Sequence, residues 1–200
     1  MRPGSTKSWL LASFAGAALV TAFLAASRAQ SPSESKPTNE LTLAGLRPGR
    51  STLAEAEQRF GTKYRDTPES SGDIQLWSDP CTGRSLRVEV DEQRVIQSVT
   101  VSSLGPKSTN CKPGEVKNPL PRGTPLATSR GLALGLKKAR VLAYYGEPGS
   151  ALPSTVQGAE FELLYYAFDW AGSDVPQVME VTCERGTGRV RKITLAFPSL

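Results

Sequence analysis

The chain lacks histidine altogether and holds only three cysteines, two methionines and three tryptophans in 200 residues. Without imidazole there is no Ser-His-Asp triad, no Cys-His pair and no histidine metal ligand, so the commonest hydrolase mechanisms are excluded. Metal-loop spacing is also missing: Asp79, Asp169 and Asp174 stand near strand ends in no calcium-loop order. The Gly186 and Gly188 pair sits in a hairpin turn and lacks the strand-to-helix setting of a phosphate loop. Nor is one sign of charge concentrated enough for a nucleic-acid footprint. No catalytic residue, cofactor site or metal site is predicted.

What is present begins with an N-terminal pattern of Arg2 and Lys7, an apolar run from Trp9 to Ala26, and small residues at Ser27-Arg28-Ala29. That order predicts a secretory signal peptide over residues 1–29, with a membrane anchor as the alternative if the segment is retained. No cysteine follows the run directly, which excludes a lipid anchor there. The segment carries three cations and no acid, so its removal takes the formal charge from +5 to +2. The expected location is periplasmic or secreted, with membrane contact only through an uncleaved N-terminus. An oxidising compartment favours one disulfide and one leftover thiol among Cys81, Cys111 and Cys183.

Residues 30–41 are polar and hold Ser and Pro, and are read as a flexible tether. Folded sequence then takes a repeated form. "GLRPGRSTLAEAEQRFG" (45–61) and "GLALGLKKARVLAYYGEPG" (131–149) each run from Gly-Leu through a helical segment to an aromatic-glycine stop. In the first, Thr52 and Glu55 have capping-box spacing, and Leu53, Ala56 and Phe60 form an apolar stripe. In the second, Ala139, Leu142 and Tyr145 form the stripe, with Lys137 and Lys138 at a poorly capped start. Alternating segments follow each helix: "DIQLWSD", "SLRVEVDE" and "RVIQSVTVSS", then "EFELLYYAFDW", "QVMEVTCER" and "GRVRKITLAF". The predicted fold is α+β, two tandem units at 42–104 and 124–200 around a Pro/Gly/Lys-rich connector at 105–123. Each unit is a helix-turn-helix element packed on a three-stranded antiparallel meander. In such a meander Cys81, in the first turn, and Cys111, after the third strand, approach one edge, so they are the expected disulfide. Cys183 is expected to be buried.

The glycine-leucine entry, the helix ending "FG" or "YYGEPG", and the strands split by a charged turn resemble the beta-lactamase-inhibitor-protein-like (BLIP-like) fold. That fold is shared with the SmpA/OmlA (BamE-like) outer-membrane assembly lipoproteins. The tandem copy is more similar to the inhibitor branch, and the resemblance implies a sheet surface that grips a partner. It carries no contact residue over to this chain. From the strands themselves, Trp77, Tyr166, Phe168 and Trp170 are the candidate partner-binding residues, because an aromatic row on an uncovered face marks an interaction site. The same rings fill the core if that face lies under the helices. The expected function is an exported, non-catalytic module that binds an envelope component or an enzyme to be inhibited. The alternative is an envelope assembly or structural protein held by its N-terminal segment.

Overall fold

The computed structural model describes residues 39–61, 73–105, 107, 118–156, 158–168 and 177–197. The first helix, α1 (Leu53–Phe60), starts where the sequence places it. Thr52 accepts from the Glu55 amide, Glu55 reaches back to the Thr52 amide, and Gly61 stops the helix with its amide on the Glu57 carbonyl at 2.8 Å. Leu53, Ala56 and Phe60 are buried. Eight residues are too few for a helix to persist alone, so this stripe must pack on something.

It packs on a sheet. Strands β1 (Ile74–Asp79), β2 (Arg84–Val90) and β3 (Ile96–Ser102) form an antiparallel meander. After them come α2 (Lys138–Tyr145), β4 (Ser150–Val156), β5 (Ala159–Phe168), β6 (Gln177–Glu184) and β7 (Val190–Ala196). α2 has no side-chain cap, and the β6–β7 hairpin replaces one: the Lys138 amide donates to the Gly188 carbonyl at 2.8 Å. Its buried residues are Val141 and Tyr145, whereas Ala139 of the expected stripe is exposed.

All seven strands belong to one antiparallel sheet in the order β1-β2-β3-β7-β6-β5-β4. The expected two tandem α+β units are therefore corrected to one mostly β fold that has, among the described residues, two short helices, each single and without a helix-turn-helix element. The cause lies in β3 and β7. Two separate meanders would leave both as edges with a row of unpaired backbone donors and acceptors. Here they pair with each other, Val99 opposite Leu195 and Val101 opposite Ile193. "SVTV" and "KITL", similar in sequence, are thus partners in a single sheet. β4 was not expected at all. Its sequence "SALPSTV" contains Pro153 and no buried residue, so it carries no alternating apolar signal and lies on the edge, where proline is tolerated.

The core lies on one side of this sheet. One inward row crosses six strands as Trp77, Leu86, Val101, Ile193, Val181 and Leu164, all fully buried. The helices, Leu43, Leu46, Leu126 and Leu132 close over it. Burying one such aliphatic or aromatic side chain is worth about 1.5–3 kcal/mol. Leu43 and Leu46 exchange backbone hydrogen bonds across a tight turn, and Gly45 in that turn has φ +74°. A Cβ there would meet the Arg59 guanidinium, which donates to the Ala44 carbonyl at 3.0 Å.

Both expected boundary segments contribute to the fold where they are described. Glu40, at the end of the expected tether, is buried. In the connector, the Ser78 amide donates to the Asn118 carbonyl and the Leu120 amide returns to Ser78, so residues 118–120 line the outer edge of β1.

Candidate functional site

Alternation along the strands divides the sheet into two chemistries. The inward parity is apolar; the opposite parity is polar on the central strands. Opposite Leu86 and Val88, β2 turns Ser85, Arg87 and Glu89 outward; β3 turns out Ser98, Thr100 and Ser102; β7 turns out Lys192, Thr194 and Ala196. One outward row reads Leu76, Arg87, Thr100, Thr194, Glu180, Tyr165. All of these positions but Tyr165 line a shallow trough of about 480 Å³ across β1, β2, β3, β7 and β6. No described helix or loop residue lines it.

The side chains of the trough are held in place by one another. The Thr100 and Thr194 hydroxyls hydrogen-bond across the β3–β7 seam at 3.0 Å. Ser98 donates to Glu89 at 2.9 Å, and Arg87 pairs with the other Glu89 oxygen at 2.6 Å. The ion pair is about half exposed and adds little to stability, but it orients both groups. Arg87 and Lys192 equal Glu89 and Glu180 in number, so the trough offers hydroxyls and balanced charges of both signs. Leu76, 48 % exposed, supplies an apolar contact at one end.

The structure moves the predicted aromatic residues to the other side. Trp77, Tyr166 and Phe168 are fully buried. Trp77 packs against Phe60 at 5.5 Å between ring centroids and donates to the Gly61 carbonyl at 2.6 Å. Tyr166 and Phe168 pack on Tyr145 of α2 at 5.9 and 6.0 Å. Tyr166 also donates to the Gly146 carbonyl at 3.1 Å, and burial raises its pKa. These three rings form core, and the role in partner contact does not fit their burial. Trp170 lies outside the described residues. The signal that separates the faces was in the sequence: Tyr166 and Phe168 share parity with Leu164, whereas Tyr165 stands on the opposite parity with the hydroxyl-rich positions.

Of the cysteines, Cys81 is disulfide-bonded and Cys183 is free and buried. Cys111, the expected partner of Cys81, lies outside the described residues. Burial, and then the nearby Glu162 carboxylate, push the Cys183 thiol up to about 11 against the opposing effect of Lys138. A thiol so placed is a packing residue, not a nucleophile.

Sequence reasoning passed over Glu40. Its carboxylate is fully buried and accepts from six donors: the Leu41 and Thr42 amides, the Ser129 amide and hydroxyl, the Arg130 amide and the Tyr145 hydroxyl. Tyr145 meets the Thr128 hydroxyl at 2.8 Å as well. Burial alone would raise the Glu40 pKa; the hydrogen bonds from Ser129, Tyr145, Thr42 and Leu41 outweigh it and lower it. With all its neighbours committed to one another, this carboxylate ties the N-terminal segment to the 128–130 turn.

The described residues include no cluster of three or more acids and cysteines able to hold a metal, and no helix long and apolar enough to cross a membrane. No protein-family model matches the chain, and no curated protein matches it. Among solved structures, it is similar to a DUF4309 family protein, YjgB, from Bacillus subtilis. The match has 13 % identity and a TM-score of 0.45, over 80 % of this chain and 88 % of that one.

Proposed function

We propose that this chain is an exported, non-catalytic module that binds a protein partner, an envelope component or an enzyme to be inhibited, through the uncovered face of its sheet. The observation that carries the reading is the trough itself: hydroxyls and charges of both signs on four adjacent strands, with Leu76 of β1 at one end and no described element over them. Strand backbones hold these groups rigidly, so little conformational freedom is lost when a partner docks. The charges are balanced, which favours a mixed polar protein surface over a polyanion. The export part of the proposal rests on the Arg2-to-Ala29 pattern and on a disulfide-bonded Cys81. Relationship to the BLIP-like inhibitors belongs to the same proposal, with the partner surface now placed on the hydroxyl face.

Thr100→Arg combined with Thr194→Arg places two long cations in the centre of the face without touching the core. The doubly substituted protein loses the Thr100–Thr194 hydrogen bond and sets two like charges opposite each other, so it is expected to melt somewhat lower but still cooperatively, and to lose a partner that the parent retains from envelope extract. Equal retention of that partner by both proteins would overturn the assignment of the face.

A further inference from the structure

A second concave region lies away from the sheet face, where the end of α1 meets the β1–β2 turn and residues 119–123. It is a half-open cavity of about 680 Å³, within the usual range for small-molecule sites. Its wall is largely apolar: the buried Phe60 and Leu120, with Pro80, Pro119 and Pro121. Nothing in the proposed binding face uses these residues.

The charges around it are unequal. Arg84 and Arg122 line the cavity, and neither side chain forms an ion pair or hydrogen bond among the described residues, although Arg84 stands opposite Asp79 in the β1–β2 ladder and its charge acts on that carboxylate. Asp79 is the only acid among the described lining residues, and it is committed to its own turn. Its Oδ1 accepts from the Cys81 amide at 2.9 Å and its Oδ2 from the Thr82 hydroxyl at 2.7 Å. Two cations against one acid leave a net charge of one positive unit. An apolar wall with one net positive charge suits a monoanion with a hydrocarbon body. Among the described residues a cation would find no free acid there, and a simple inorganic anion would leave the apolar wall unused.

We propose that this cavity binds a small hydrocarbon carboxylate, its body against Phe60, Leu120 and the three prolines and its carboxylate paired with Arg84 and Arg122. The test is calorimetric titration of the full chain with decanoate, kept below its micellar concentration, alongside acetate and decyltrimethylammonium. Decanoate is expected to bind saturably at one site, and the other two probes are expected not to. Arg84→Gln with Arg122→Gln should weaken decanoate by about tenfold or more. Arg84→Lys with Arg122→Lys, which keeps the charge, should stay within roughly threefold of the parent. The proposal is overturned if decanoate does not bind, if decyltrimethylammonium binds as tightly, or if the glutamine pair binds as the parent does. Loss of binding in the lysine pair as complete as in the glutamine pair would also overturn it.

Discussion

Replacing Glu40 tests how much a single carboxylate contributes to joining the N-terminal segment to the rest of the fold. Glu40→Ala removes an acceptor shared by six donors and leaves the buried Tyr145 hydroxyl with Thr128 alone, while the exposed Ser129 can turn to water. Leaving buried donors without their charged acceptor costs about 1–3 kcal/mol. Glu40→Gln keeps one carbonyl oxygen for the Leu41, Thr42 and Ser129 donors but turns an NH2 toward the Arg130 amide, another donor, and should cost about 1–2 kcal/mol. The pH dependence adds a second readout. In the folded protein the Glu40 pKa lies below the ordinary 4.5, so its stabilisation is complete above that value and is lost as pH falls through the folded pKa. Urea unfolding of the parent and of Glu40→Gln should therefore differ by a constant amount from about pH 8 to about pH 5 and converge below 4.5. A Glu40→Ala cost under about 1 kcal/mol, or a gap independent of pH, would refute the assigned role.

Three further outcomes follow. Tyr166→Ala should destabilise the protein by about 3–5 kcal/mol in urea unfolding, because it empties a fully buried ring site against Tyr145; a neutral substitution would contradict its place in the core. Cys183, with a thiol pushed up to about 11, should resist iodoacetamide at pH 8 in the folded protein and react once the chain is unfolded; fast native alkylation would contradict its burial. Reduction should cost about 3–4 kcal/mol if Cys81 closes a loop of roughly 30 residues with Cys111, and non-reducing peptide mapping should recover those two peptides joined; recovery of a free Cys81 would reject the bridge.

Six of the seven strands and both helices stand close to where periodicity places them. The signals are local: a capping box at Thr52 and Glu55, alternation in "SLRVEVDE", glycine stops at Gly61 and Gly146. What escaped was non-local. The pairing of β3 with β7 leaves no mark in either segment beyond their similarity, and that similarity is equally consistent with two separate sheets. β4 escaped because an edge strand with Pro153 buries nothing and so lacks a pattern. The aromatic row left two readings open, surface or core, and only the burial of Leu164, Tyr166 and Phe168, which share one parity, puts the described rings in the core. Glu40 gave no signal because a buried acid inside a polar segment looks like any solvated one until its distant donors, 89 to 105 residues away, fold around it.

The most direct test of the account is site-specific photo-crosslinking with benzoylphenylalanine placed at Thr100, in the centre of the hydroxyl face, and separately at Glu57, a half-buried position on α1 away from that face. The account predicts a discrete crosslinked protein adduct from position 100 in envelope preparations and none from position 57. An adduct from position 57 alone, or the same adduct from both, would contradict it.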